Sequence, residues 1–250
     1  MAPTTSRMSA PSRRMRRSSN NSYHPPPHSQ CVDSISFGCN SLDSVLGGGV
    51  DAECVTLLYG EAGTGKTNLC LIMARNIALQ GKRAIYIDTE GLSVERMRQI
   101  CGDDFEAVVK NILISEVHSF GEQEKMVEKA VKLAESNDDI GLIVVDSISM
   151  YYRGSSRGDS RKTMVGQSTI LLQVARKKGI PVIITSQVFT DVDTGTYEAL
   201  GGHALHHCAK TIVRLDKLGQ GKRRAIIMKH RHIPEGLAAD FKIVQNGILC

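Results

Sequence analysis

Gly60, Gly63, Gly65, Lys66 and Thr67 occur in "GEAGTGKT", a spacing of residue types suited to holding a polyphosphate. Val55 to Tyr59 before it is an apolar run of strand length, and Asn68 to Leu79 after it repeats apolar residues at helical spacing. A glycine-rich turn between strand and helix aims successive backbone N–H groups at one point, at the positive end of the helix dipole. On this pattern Gly60, Glu61, Ala62, Gly63, Thr64, Gly65, Lys66, Thr67 and Asn68 form the phosphate cradle. Lys66 reaches the β- and γ-phosphates and the Thr67 hydroxyl ligates Mg²⁺. A second metal-facing group is expected at Asp146, the last residue of the apolar run "IGLIVVD", holding Mg²⁺ through water. Ser147 follows it, so the glutamate that many ATPases carry at that position is missing. Glu90, in "AIYIDTEG", ends the neighbouring strand and is the candidate that orients the attacking water. Asp88 to Gly91 also fits the DxxG pattern of GTPases, but no NKxD-type guanine reader and no LSGGQ segment occur. The expected cofactors are ATP and Mg²⁺.

These groups converge only if parallel strands bring their C-terminal ends together. Residues 54–59, 83–88, 111–115, 140–146 and 180–186 read as strands, with helices near 67–79, 94–101, 122–136 and 161–178. The alternation predicts an α/β fold with a mostly parallel central sheet flanked by helices. After Lys210 the rhythm changes, and 211–215, 224–228 and 241–244 read as an antiparallel C-terminal edge. There is no internal repeat.

The chain has 250 residues, 41% of them hydrophobic, enough for one substantial core. The formal charge is +5, but Arg7, Arg13, Arg14, Arg16 and Arg17 supply it, and residues 31–250 carry 26 basic and 26 acidic side chains. Global charge therefore does not indicate a nucleic-acid partner, and only local clustering can. Residues 1–30, rich in Ser, Pro and Arg, are expected to be a disordered basic tail ahead of an ATPase domain at 31–250. No apolar run is long enough to span a membrane and no apolar stretch follows the N-terminal arginines, which excludes a secretory signal. Seven cysteines without a CxxC pair read as reduced thiols in a cytoplasmic protein. The cluster His203, His206 and His207 reads as structural rather than metal-binding, for want of a supporting carboxylate pattern.

"GEAGTGKT", "YIDTEG", "LIVVDS", "ITSQV" and "LGGHAL" follow one another in the order and approximate spacing of the RecA/RadA recombinase ATPase core. The resemblance covers about Ser34 to Leu249 and is strongest to the short archaeal paralogues of RadA. It implies a RecA-like P-loop core, weak hydrolysis at most, and ATP-modulated binding of single-stranded DNA in recombinational repair, assisting a RadA-type recombinase. It also implies that Gln187 senses the γ-phosphate and that Arg96 flanks the adenine, with Arg98 as the other possible match. Lys229 and Arg231, two apart at a strand end, would reach a neighbouring subunit's ATP, with DNA phosphate binding as the other possibility. Recombinases of this lineage carry a helix-hairpin-helix domain before the core, where this sequence has its basic tail. Their Phe-x-x-Ala subunit-docking tetrapeptide is also absent from this chain, so any homo-oligomer must form without it.

"SMYYRGSSRGDSRK", Ser149 to Lys162, corresponds by position to the first DNA-binding loop of that family. Arg153, Arg157, Arg161 and Lys162 would contact phosphates, and Tyr151 and Tyr152 would stack on unpaired bases. The second loop, Phe189 to Leu205, carries three acids and no Lys or Arg. A RecA-fold signalling or assembly ATPase that acts on protein partners explains Lys66, Glu90, Asp146 and Gln187 equally well, but leaves the gathering of Tyr and Arg at 151–162 unexplained. A small-molecule kinase is a weaker alternative, since no arginine-rich lid follows the core.

Overall fold

Valine- and isoleucine-rich runs form the central strands, and those between covering helices are buried on both faces, as continuous apolar sequence requires in a parallel sheet. The computed structural model describes residues Met1, 34–151, 157–190, 197–200 and 202–250, with backbone alone for 157–163, 189–190, 197 and 203–204. In chain order the first half comprises β1 (Ser34–Ile35), α1 (Asn40–Val45), β2 (Val50–Asp51), β3 (Val55–Gly60), α2 (Lys66–Leu79) and β4 (Arg83–Asp88). It continues with α3 (Val94–Cys101), a 3₁₀ turn at Gly102–Asp104, α4 (Phe105–Val109), β5 (Ile112–Glu116) and α5 (Phe120–Ser136). The second half comprises β6 (Ile140–Asp146), α6 (Arg157–Lys178), β7 (Val182–Ser186), β8 (Val188–Thr190), β9 (Tyr197–Ala199) and α7 (Gly202–Cys208). Four strands close the chain: β10 (Thr211–Gly219), β11 (Lys222–Lys229), β12 (Ala238–Val244) and β13 (Gly247–Leu249).

Nine strands form the main sheet in the order β13-β12-β11-β10-β3-β7-β6-β4-β5. From β10 to β5 every pairing is parallel, and from β10 to β13 every pairing is antiparallel. Period-2 alternation splits the core into two layers. Leu58, Ala84, Tyr86, Leu142, Val144 and Ile183 face α2, α3 and α4. Tyr59, Ile85, Ile87, Ile143, Val145 and Ile184 face α5 and α6. Helix α2 lies on the sheet beneath β13, which is why it is apolar on nearly all sides and not amphipathic.

The expected strands and helices are present, with differences at their ends. Helix α6 begins at Arg157 rather than 161, so part of the expected loop is helical. β10 and β11 extend beyond 211–215 and 224–228, because their charged outer ends pair with one another as a hairpin, and β12 begins at Ala238 rather than 241, where Ala238 and Ala239 pair with Ile226 and Ala225. One expectation about the cysteines is corrected. Cys39 and Cys250, 211 residues apart, are joined as a disulfide with Cα atoms 5.6 Å apart, where the start of α1 meets the closing strands. Cys54, Cys70, Cys101 and Cys208 are free and buried. Among the described residues no helix is long and apolar enough to cross a membrane.

Candidate functional site

Strand β3 delivers the phosphate loop at the C-terminal edge of the sheet, and the loop's glycines are required there sterically. A Cβ on Gly60 would lie 2.3 Å from the Leu215 carbonyl oxygen of β10, and Gly65 starts α2 from a left-handed φ of 103°. The Thr64 hydroxyl donates to Glu61 O at 2.8 Å and closes the turn. Lys66 is buried, and its ammonium donates to Gly60 O at 2.8 Å and Glu61 O at 3.0 Å. Burial holds its pKa below the usual lysine value, while Glu90 and Asp146 pull it back up. An ammonium satisfied only by loop carbonyls gains a full anion when a phosphate replaces them. Sequence reasoning missed a brace on this loop: the Arg223 guanidinium donates to Gly63 O at 2.8 and 3.1 Å, and the Lys217 side chain lies against Gly63.

Parallel register aligns the other groups along the same edge, with Tyr59 opposite Ser186 and Asp88 opposite Asp146. Asp146 is 2% exposed and accepts hydrogen bonds from the Tyr86 hydroxyl at 2.7 Å and the Thr185 hydroxyl at 2.5 Å, with Thr67 as a further donor. Burial raises its pKa above the usual carboxylate range, and the three hydroxyls oppose that shift. Among the described residues no basic side chain is paired with it. A buried carboxylate next to the Thr67 hydroxyl is a hard oxygen donor set, and it fits Mg²⁺.

Glu90 and Gln187 are brought together. The Asp88 carboxylate accepts the N–H groups of Glu90, Gly91 and Leu92 at 3.1, 3.0 and 2.6 Å, which fixes the turn carrying Glu90. Thr89 stitches that turn to the end of β6: its hydroxyl donates to Ser147 O at 3.0 Å and accepts from Ser147 N–H at 2.7 Å. The Asp146–Ser147 peptide between them is cis. The Glu90 side chain stays exposed and accepts from the Gln187 amide at 3.1 Å. Gln187 is also tied to the chain beyond it, since Leu200 N–H donates to its carbonyl at 2.8 Å and its own N–H donates to the Ser149 hydroxyl at 3.2 Å. Gln187 thus touches Glu90 through its side chain and Leu200 and Ser149 through its backbone.

The Rad51 family model matches residues 28–250 of this chain. The chain belongs to the Rad51 family. Among its relatives, "DNA repair and recombination protein RadB" of Methanococcoides burtonii is 43% identical over 215 residues, covering 84% of this chain and 95% of that protein. The RadB protein of Archaeoglobus fulgidus is 42% identical over 219 residues, covering 86% of this chain and 97% of its own length. A solved structure described as the RadB recombinase superposes with a TM-score of 0.76 at 36% identity, covering 86% of this chain and 98% of that one.

In this Rad51-family chain Arg96 is at the nucleotide side of α3 but is engaged. Its guanidinium donates to Asn68 Oδ1 at 2.6 Å, Gln99 Oε1 at 3.0 Å, and the carbonyls of Val244, Gln245 and Gly247 at 2.9, 2.6 and 3.2 Å. Arg98 lies over the Phe105 ring, 4.2 Å from its centroid. Lys229 ends β11 beside the start of β3, and its ammonium donates to His206 O and Ala209 O, closing the C-terminus of α7. Arg231 donates to Glu53 O at 3.2 Å. Both are separated from the chain's own phosphate loop by the length of β3, roughly 16 Å of strand. Among the other basic residues between Lys210 and Arg231, Arg224 is bidentate on Asp240 at 2.6 and 2.9 Å, and Arg214 pairs with Asp216 at 3.1 Å.

Of the expected DNA-facing residues, Tyr152 and Arg153 lie outside the described residues, and Arg157, Arg161 and Lys162 are described by backbone alone, in the first turns of α6. Tyr151 differs from expectation: its ring packs against the α5–α6 core layer and its hydroxyl donates to Val117 O at 2.6 Å. It is an anchor for the segment that follows and not a free stacking ring.

Proposed function

We propose that this chain is a RadB-type DNA repair and recombination protein whose grip on single-stranded DNA is switched by MgATP. The Rad51-family nucleotide core and the RadB relatives support the recombination and repair role and do not favour an ATPase that acts on protein partners alone. The observation that carries the switch is Gln187, whose side-chain amide donates to Glu90 and whose backbone carbonyl accepts from Leu200 N–H.

The N–H groups of Gly63, Gly65, Lys66 and Thr67 would receive the triphosphate of ATP, and Lys66 would exchange loop carbonyls for phosphate oxygens. Thr67 and Asp146 would hold Mg²⁺, which when bound neutralises phosphate charge. Glu90 orients the attacking water, and its exposed, unshielded position fits slow hydrolysis at most. A γ-phosphate held near Glu90 would compete for the Gln187 side-chain amide, and a shift of Gln187 would pass through its backbone carbonyl to Leu200. Arg153, Arg157, Arg161 and Lys162 supply phosphate contacts to the DNA and Tyr152 a stacking face. Lys229 and Arg231, remote from the chain's own loop, can meet nucleotide only on a second copy, so a homo-oligomer completes the site. A RadA-type recombinase is the partner protein, in the cytoplasm where the DNA is.

Titration of single-stranded against duplex oligonucleotide, with and without MgATP, tests the reading. The expected result is tighter single-strand binding with MgATP, and loss of that gain in Lys66→Ala, whose ATP affinity falls roughly ten- to hundredfold as a bond to a charged group is removed. Failure of the unmodified protein to bind DNA at low salt with ATP present would overturn it.

A further inference from the structure

At the opposite edge of the sheet from the phosphate loop, three potential metal ligands from two distant parts of the chain converge. Asp51 closes the short β2, while His230 and His232 lie on the segment that follows β11. One ligand atom from each lies within 4.8 Å of the others. The His230 side chain is 1% exposed and that of Asp51 is 5% exposed. His230 Nε2 faces Asp51 Oδ2 at 3.7 Å, too far for a hydrogen bond, and neither buried atom has a hydrogen-bond partner. Two such atoms left facing each other at this distance need an explanation. The gap matches a metal: tetrahedral ligands about 2.0–2.1 Å from zinc stand about 3.4 Å apart.

A buried His–Asp ion pair is the simpler account, but it requires a protonated imidazole, and burial holds the His230 pKa below its usual value, with His232 and Arg231 adding to the shift and Asp51 opposing it. Cys54, which donates from its thiol to Asp51 O, is pushed up to about 11 by burial, and its sulfur is not among the converging ligand atoms. His232 is exposed, with its ring edge-on to that of His230 at 4.6 Å. Two costs stand against binding. Arg231 lies nearby as a like charge, and a metal on Nε2 moves the ring proton to Nδ1, replacing the long 3.4 Å contact from His232 N–H.

We propose that Asp51, His230 and His232 form a binding site for a divalent transition cation of the zinc class, with a fourth position open to water. Such an ion clamps the segment carrying Lys229 and Arg231 onto β2. The site is separate from the MgATP site and does not depend on the recombination reading.

Zinc competition against a chromophoric chelator tests it on the full chain, in excess Mg²⁺ to occupy the hard oxygen site. Carrying His24→Ala, His28→Ala and Cys31→Ser removes the ligands of the N-terminal residues. One equivalent of Zn²⁺ is expected, at least tenfold weaker in His232→Ala, whose exposed position leaves folding intact by circular dichroism. Bound Co²⁺ is expected to give a visible d–d band without thiolate charge transfer. No one-equivalent binding, zinc affinity unchanged by His232→Ala, or a thiolate charge-transfer band would overturn the proposal.

Discussion

Individual side chains in this site are set by burial as much as by charge. Asp146 is the clearest case, because its folded-state pKa is raised, so the native protein binds that proton more tightly than the unfolded chain. The group therefore adds stability when protonated, and loses it as pH rises through the folded pKa; at neutral pH the carboxylate costs stability, a cost that a bound cation offsets. Asp146→Asn is expected to raise the melting temperature of the nucleotide-free protein at pH 7 and to remove the further rise on adding MgATP. The gain should shrink as pH falls to where Asp146 is itself protonated. A melting temperature lowered by Asp146→Asn at pH 7 would show that its three hydroxyl donors outweigh its burial. The two tyrosines are expected to separate by function. Tyr151→Phe, losing one bond to Val117 O, should cost about 1 kcal/mol of stability in denaturant melts and leave DNA affinity alone. Tyr152→Ala should cost roughly 1–3 kcal/mol of single-strand affinity with little change in salt dependence. Equal DNA phenotypes would remove the distinction.

At the scale of elements, what the sequence made legible was whatever local pattern determines. Val55–Gly60, Arg83–Asp88 and Ile140–Asp146 were readable as strands because unbroken apolar runs bounded by Gly or charge admit little else, and the loop at Gly60–Thr67 because its glycines answer to steric limits. The start of α6 was not readable, since Gly158, Asp159 and Ser160 in "RGDSR" are poor helix formers, yet the helix runs from Arg157. Contacts between distant residues were equally hidden: Tyr86 and Thr185 on Asp146, the Cys39–Cys250 pairing, and the approach of Asp51 to His230 join residues 39 to 211 positions apart, and no spacing rule spans that. Arg96 shows the same limit. The motif context points it at adenine, whereas its guanidinium holds α3 to the turn between β12 and β13. Arg96→Ala is expected to lower stability by roughly 1–3 kcal/mol even without nucleotide, because three carbonyls of the β12–β13 turn lose a charged donor. Stability unchanged, with only ATP affinity lost, would return Arg96 to a purely adenine-facing role.

Over the whole molecule, the parallel half of the sheet collects Lys66, Asp146, Glu90 and Gln187 at one edge, and the antiparallel half ends with Lys229 at the other. That polarity is what a Rad51-family subunit needs if nucleotide bound at one edge is to be felt by DNA and by a second copy. The proposed link inside one chain is short: from a γ-phosphate to Glu90 and the Gln187 side chain, then through the Gln187 backbone carbonyl to Leu200. Coupling free energy between two such sites typically changes affinity 5- to 150-fold. The most direct test is the ratio of single-strand DNA affinities with and without MgATP, measured in the unmodified protein and in Gln187→Ala at matched ATP occupancy. The account predicts a ratio well above one that falls close to one in Gln187→Ala while ATP affinity is little changed. A ratio that survives the substitution intact would contradict it.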